Sequence, residues 1–511
     1  MRELLDAELA KKLDVLTQVH YGIPGMVLME RAALILAWQV EKEMASPEDS
    51  VLCICSYGNN GGDGIACARI LLEKGYQVSV LMVGNGSKAT EENQQQLETA
   101  KQCGVKLLTE CRLEEYDILV DAIFGIGLSR VVEGTYADMI HKINKSGRKV
   151  IAADIPSGID ASTGKVWGVA VHADVTVTFG AEKLGHLLYP GRDYCGRTVV
   201  GEIGFPKKAV DDIATPYFTY EPKDYAEKMP KRPSYSNKGT FGRVLVIAGS
   251  REMFGAAYLA AKAAYRLGAG LVKVLTEESN VPILKGKLPE ALVASYSSRF
   301  YRNQEQEKQI LSHLNWASVV LIGPGIGMGE EAKRLMELVL SSVHVPLVVD
   351  ADGINLLGRF AELKLPENAV ITPHLMEMSR LIAREVPDIR ENLIQAAKET
   401  ARNKKITVVL KDACTIVTDG EKTYLNSGGN SGLATGGSGD VLAGMIAGLI
   451  AQKMTPYEAA CLGTGLHAMA ADAALGTGKQ SEYSLMAGDI VETLTTLGGR
   501  HESVLPGMGR Y

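Results

Sequence analysis

Two stretches of the chain alternate short, fully apolar runs with longer segments of helical periodicity, and the stretch between them does neither. In the first, VLCICSYG (51–58), YQVSVLMVG (76–84), YDILVDAIFG (116–125), KVIAADIPSG (149–158) and ADVTVTFG (173–180) read as buried strands. GIACARILLEKG (64–75) reads as a helix stopped by Gly75. Two leading helices, near 3–17 and 25–44, are expected to pack on the sheet. Apolar β-branched runs spaced by helices predict a parallel sheet covered on both faces.

The second stretch restarts with GRVLVIAGS (242–250) and continues through LVKVLT, ASVVLIGPGIG (317–327), PLVVDADG (346–353), AVITPH (369–374) and ITVVLKD (406–412). AAYLAAKAAYRLGAG (256–270), GDVLAGMIAGLIAQ (439–452) and YEAACLGTGLHAMAADAALG (457–476) read as helices, whose small residues suggest close helix packing. Between the stretches, residues 211–239 hold four prolines, many charges and no clear period, which marks a linker. The expected division is a domain over 1–215, a linker and entry strand over 216–238, and a second domain over 239–511. Both domains are expected to be α/β, each a mainly parallel sheet flanked by helices.

Composition narrows the field. The chain has 511 residues, a net charge of −6 and no basic stripe, which argues against a nucleic-acid partner. Eight cysteines are scattered without CxxC spacing, and Cys53 and Cys55 would share one strand face. Such usage fits buried thiols in a reducing cytosol. The charged, amphipathic N-terminus is unlike a signal peptide, and no long apolar span follows. A cytoplasmic protein without membrane contact is expected, and a homo-oligomer.

Ligands in open α/β sheets bind beyond the carboxyl ends of the strands. In the second half those ends carry Ser250, the GPGIG run, Asp350 and Asp352, His374 and Glu377, then Lys411 and Asp412. They should converge near the loop of ATGGSGDVLAG (434–444). Glycines there let backbone N–H groups approach phosphate oxygens, and the following helix points its positive end at them. Asp440 could then take a proton from a hydroxyl attacking a phosphoryl group. A Gly-rich turn with an Asp cap explains the loop in isolation, but not its company of GPGIG and PHLME at neighbouring strand ends. No Walker loop occurs.

In the first half, YGNNGGDGIA (57–66), VDAIFGIGLSR (120–130) and AADIPSGID (152–160) are three strand-end loops. They place Asp63, Asp121, Asp154 and Ser157 at one sheet edge. Carboxylate, amide and hydroxyl oxygens there suit a hard cation, whose identity the residues leave open. The usual GxGxxG fingerprint is absent.

ATGGSGDVLAG, with NSGGNSG before it, resembles the phosphate loop of the ribokinase-like superfamily. More narrowly, AGS…GAAYLAA, GPGIG, DADGINLL, TPHLMEMSRL and LKDACTIV resemble the NAD(P)H-hydrate dehydratases over nearly all of 230–500. The resemblance implies substrate contacts at Ala257, Gly325, His374 and Asp440. It implies nucleotide contacts at Lys411, Asp412, Ala413, Cys414, Thr415 and Gly439, with Asp412 standing where the family has glycine. NNGGDG and DIPSGID resemble the YjeF N-terminal domain, the NAD(P)H-hydrate epimerase, over about 10–210. That resemblance implies substrate contacts at Asn59, Asn60, Gly61, Gly62, Asp63, Gly125, Ile126, Gly127, Leu128, Ser129, Arg130, Val131, Tyr136 and Asp154. It implies a potassium ion held by Asn60, Asp121 and Ser157, with Asp154 as the proton-handling residue and Lys183 either at the substrate or in a salt bridge. Together the two resemblances imply a Rossmann-like epimerase fused to a ribokinase-like dehydratase, and Mg²⁺ with ADP as phosphoryl donor. NAD(P)HX, the hydrated cofactor, would be the substrate. A small-molecule kinase for a vitamin-precursor alcohol, with a ligand-binding first domain, is the alternative.

Overall fold

The computed structural model describes residues 1–497, so the end of the expected second domain, 498–511, lies outside the described residues. The chain divides into two compact units: Glu3–Tyr217, and Met1–Arg2 together with the chain from Phe218 onward.

The N-terminal unit holds seven strands: β1 (Val51–Cys55), β2 (Val78–Met82), β3 (Lys106–Leu108), β4 (Ile118–Ala122), β5 (Lys149–Ala153), β6 (Val175–Phe179) and β7 (Arg197–Gly201). They lie in the order β3-β2-β1-β4-β5-β6-β7, with every neighbouring pair parallel. Along β1, Val51, Cys53 and Cys55 face a core built with helices Gly25–Glu43 and Asn59–Glu73, while Leu52 and Ile54 face a second core with Ile140 and Ile143. Burial on both faces is why these strands read as continuous apolar runs. The strand order reverses between β1 and β4, and the loops leaving that crevice are the ones singled out from sequence.

The C-terminal unit holds β8 (Arg243–Ile247), β9 (Leu271–Glu277), β10 (Leu292–Tyr296), β11 (Val319–Ile322), β12 (Leu347–Val349), β13 (Val370–Ile371), β14 (Thr407–Leu410), β15 (Ile416–Thr418) and β16 (Thr423–Leu425). Their order is β16-β15-β14-β13-β12-β11-β8-β9-β10, parallel from β14 to β10 and antiparallel across β14-β15-β16. Here the order reverses between β8 and β11. Helices Phe254–Arg266 and Ser438–Ala451 pack against each other through their small residues. A Cβ on Gly444 would lie 2.1 Å from the Ala260 carbonyl oxygen, and one on Gly448 would lie 2.7 Å from that of Ala264.

Several features differ from the sequence reading. Besides a strand, Tyr217–Thr219, where an entry strand was expected, the separator region holds helices Lys207–Ile213 and Pro222–Lys228. Proline at the first position of the last helix loses no hydrogen bond. The first-domain loop is helical from Asn59 rather than from Gly64. Strands β3, β7 and β10 lie at sheet edges and are only partly buried, so they carry no continuous apolar run. Among the described residues, no helix is long and apolar enough to cross a membrane.

Candidate active sites

In the N-terminal unit a cavity of about 1210 Å³ opens at the β1/β4 crevice. Asp154 follows β5 with a left-handed backbone (φ 66°), unusual for a residue with a side chain and a mark of functional strain. The surroundings hold it there: its N–H donates to the Val177 carbonyl at 2.7 Å. Its own carbonyl meets His186 Nε2 at 2.9 Å. Because His186 Nδ1 accepts the Lys183 N–H at 2.9 Å, the neutral ring carries its proton on Nε2 and donates. Burial, with Lys183 nearby, pushes His186 down to about 4, consistent with that neutral form.

Asp154 Oδ1 accepts from Lys183 Nζ at 2.6 Å and from Thr178 Oγ1 at 3.1 Å. Burial alone would raise the Asp154 carboxyl, but the Lys183 ammonium outweighs it and holds the group below its usual value. Asp63 and Asp14 also line the cavity. Burial raises Asp63, helped by Asp154 and Asp14, and burial brings Asp14 up to about 6. One carboxylate held ionised beside two pushed toward the protonated form is the pattern of an acid–base site.

Asn59, Asn60, Asp63, Gly125, Ile126, Gly127, Leu128, Ser129, Arg130, Tyr136 and Asp154 all line the cavity. Gly61, Gly62 and Val131 do not. A Cβ on Gly61 would sit 1.8 Å from the Ser56 carbonyl oxygen, and one on Gly62 would sit 2.7 Å from Met29. These two glycines therefore let the helix seat against its strand and its neighbouring helix. Lys183 pairs with Asp154 and also lines the cavity.

Beneath the cavity, Asp121 at the end of β4 is fully buried. It accepts from the Ser157 N–H at 2.8 Å and from Ser157 Oγ at 2.6 Å. Burial raises its carboxyl to about 6, and no cation of the described residues pairs with it. The Asn60 amide lies against Gly125, with its Nδ2 buried and unpartnered. A buried carboxylate without a counter-charge, with the Ser157 hydroxyl on it, fits an oxygen-liking monovalent cation, to which Asn60 would offer its Oδ1 rather than the unpartnered Nδ2.

In the C-terminal unit, strand ends bring charges together at the start of helix Ser438–Ala451. Lys411, after β14, reaches Asp350, after β12, at 2.9 Å, and stands 4.0 Å from Glu377. Thr372 Oγ1 donates to the same Asp350 oxygen at 2.6 Å. Lys411 Nζ would lie 3.1 Å from a Cβ on Gly439, so a side chain there would crowd the ammonium. The helix starts after Gly437 in the left-handed region (φ 89°), with no side-chain cap, leaving its first N–H groups for a ligand. Asp440 lies in that first turn. Burial, then repulsion from Asp350, raises its carboxyl to about 7 despite Lys411.

His374 caps the helix that follows it. Its Nδ1 accepts from the Met376 and Glu377 N–H groups at 3.1 and 3.3 Å, and Glu377 accepts the His374 N–H at 2.8 Å, a complete capping box. Its ring remains about half exposed beside Lys411. Gly325 has φ 62°, and a Cβ there would touch Met253 at 3.0 Å. Ala257 is fully buried against Gly249, so its methyl serves packing. Lys411, Asp412, Ala413, Cys414 and Thr415 form the β14–β15 connection. Asp412 is not among the left-handed residues, so aspartate for glycine costs no backbone strain. Cys414 is buried, its Sγ donating to the Asn426 carbonyl at 3.4 Å.

Sequence reasoning passed over Asp14, Thr178 and His186. The signal for Asp14 was its place four residues after Ala10 on one helical face.

A family model described as NAD(P)H-hydrate dehydratase matches residues 244–495, and one described as YjeF-related protein N-terminus matches residues 25–185. The chain is 38% identical over 489 residues to the bifunctional NAD(P)H-hydrate repair enzyme of Thermofilum pendens, covering 92% of this chain and 90% of that protein. It is 34% identical over 484 residues to the enzyme of the same name from Escherichia coli, covering 93% and 89%. Among solved structures, a ribokinase-like superfamily protein from Enterococcus faecalis is similar at 30% identity, covering 55% of this chain and 95% of its own, with a TM-score of 0.50.

Proposed function

The chain belongs to the family of bifunctional NAD(P)H-hydrate repair enzymes, and we propose that it restores both epimers of hydrated NADH and NADPH in two steps. The N-terminal unit interconverts the R and S forms at C6, and the C-terminal unit dehydrates the S form at the expense of ADP. We place this work in the cytoplasm, carried out by a homo-oligomer.

The observation that carries the dehydratase assignment is Asp440 at the uncapped start of its helix, beside the Lys411–Asp350 pair, where burial pushes its carboxyl up to about 7. A base with that affinity can take the proton of the C6 hydroxyl near neutral pH. The hydroxyl oxygen then attacks the β-phosphorus of ADP, and AMP leaves. The helix N-terminus and Lys411 face the charge on the transferred group. Phosphate next departs from C6 as the ring nitrogen lone pair forms C=N, and loss of a C5 proton restores the dihydropyridine. Among the described residues no three His, Cys, Asp or Glu side chains form a metal cluster. Mg²⁺ bound to the nucleotide would neutralise its phosphates.

In the N-terminal unit, Asp154 is the base, supported by its Lys183 partner, which keeps it ionised. A potassium ion on Asn60, Asp121 and Ser157 would supply positive charge beneath the substrate.

The test is recovery of dihydropyridine absorbance from a mixture of R and S NADH hydrate with ADP, Mg²⁺ and K⁺. Wild type should recover all of it, Asp440→Asn none above background, and Asp154→Asn rapidly only the S fraction. Accumulation of a stable phosphorylated product with no absorbance gain would instead favour the small-molecule kinase.

A further inference from the structure

Helix Ala7–Val19 forms one wall of the N-terminal cavity. Its lining residues are Ala10, Lys11, Leu13, Asp14 and Gln18, a single helical face. Ala10 and Leu13 are buried apolar residues, so Asp14 sits on a hydrophobic strip turned toward the substrate space. Its carboxyl is half-buried and takes no hydrogen bond or ion pair among the described residues. A carboxyl without a hydrogen bond that is held out of bulk water is a structural cost, which the Lys183 charge offsets only in part. It makes sense if the group works on something in the cavity.

Epimerisation at C6 needs two opposite proton movements. The hydroxyl must leave as water, which requires a proton, and water must return from the other face, which releases one. Asp154 meets only the second need, because its Oδ1 is committed to Lys183 and Thr178 as an ionised acceptor. We infer that Asp14 is the proton donor of this site, and that Asp14 and Asp154, from separate elements, serve the two faces of the ring. The inference rests on the epimerase assignment above. In the forward direction the ring nitrogen lone pair forms C6=N as the C6–O bond breaks, and the departing oxygen takes the Asp14 proton. Water then attacks C6 from the opposite face, Asp154 takes its proton, and the C=N pair returns to nitrogen. The reverse exchanges the roles; after each forward turnover solvent returns a proton to Asp14 and takes one from Asp154, and no outside oxidant or reductant enters.

Burial raises Asp14 to about 6, which supports a protonated fraction near neutral pH. The other charged groups on the cavity wall are Lys11, Asp63, Glu92, Arg130, Asp154 and Lys183. Asp63 is the competitor, because burial raises it too.

The experiment measures kcat/KM for the R epimer across pH 5.5 to 8.5, with acid-catalysed background subtracted, using the thermal unfolding transition of the N-terminal unit to count folded enzyme. Wild type should lose activity tenfold per pH unit above about 6. D14N should be at least about 100-fold slower, with that alkaline limb gone. D14E should regain most of the rate, and D63N should keep the limb. A wild-type profile flat over this range overturns the inference without recourse to any variant. So does a D14N enzyme that keeps the wild-type rate or the limb, or a limb lost only in D63N. If wild type itself fails to convert the R epimer, the epimerase assignment falls, which is a separate outcome.

Discussion

Asp440 and Asp121 are both carboxyls whose burial the fold tolerates at a cost. For Asp440 the sign is clear. Its folded value, about 7, lies above the ordinary 3.8, so its protonated form is the favoured one in the fold. The stability tied to it is full below 3.8 and is lost as pH rises to about 7. Asp440→Asn should therefore raise the melting temperature at pH 8 by a few degrees, about 1–2 kcal/mol after solvent screening, while removing dehydration. At pH 4 the gain should vanish. A functional residue that destabilises its own fold is the expected trade-off. Asp121 tests the cation. Binding K⁺ favours its ionised form, whereas burial alone pushes the carboxyl up to about 6. The thermal shift produced by K⁺ should be larger at pH 8 than at pH 5, and should disappear in Asp121→Asn. An equal shift at both pH values would remove Asp121 from the ion site.

Among the elements, those buried on both faces announced themselves in the sequence. β1, β4, β5, β8 and β11 are continuous apolar runs because helices cover both sides of them. Strands β3, β7 and β10 escaped notice because edge strands are half solvated. β15 and β16 have three residues each, too few for a period to emerge. The glycine- and alanine-rich helices were readable as close-packed, and Gly444 against Ala260 is where that closeness is greatest. Gly444→Val should force the two helices apart and cost about 3 kcal/mol or more. In urea denaturation the dehydratase transition should move to lower concentration, while the R–S interconversion activity persists. A midpoint unchanged from wild type would mean that the backbone there can yield.

At the scale of the whole molecule, each unit is an α/β sheet with its own reversal of strand order; the N-terminal cavity opens at its reversal, and the C-terminal charges gather at the ends of β12, β13 and β14. Two units with separate chemistry explain why one substitution should silence one step and leave the other. They also explain why the motifs fell into two sets, with no residue common to both.

The sequence by itself determined the division into two α/β halves, the crevice loops and most of their polar residues. Those follow from local rules: apolar runs make buried strands, and glycines with aspartates must follow them where a chain turns toward a ligand. It could not determine what each residue in a motif does. Gly61 and Gly62 look like ligand contacts in one dimension, yet the Ser56 carbonyl and Met29 fill the space beside them. His374 closes a capping box as well as standing at a site. Asp14 comes to Asp63 and Asp154 only because its helix folds back onto a sheet edge built from chain far downstream. Burial and charge proximity, which set whether a carboxyl gives or takes a proton, are properties of space, and only the tertiary structure decides them.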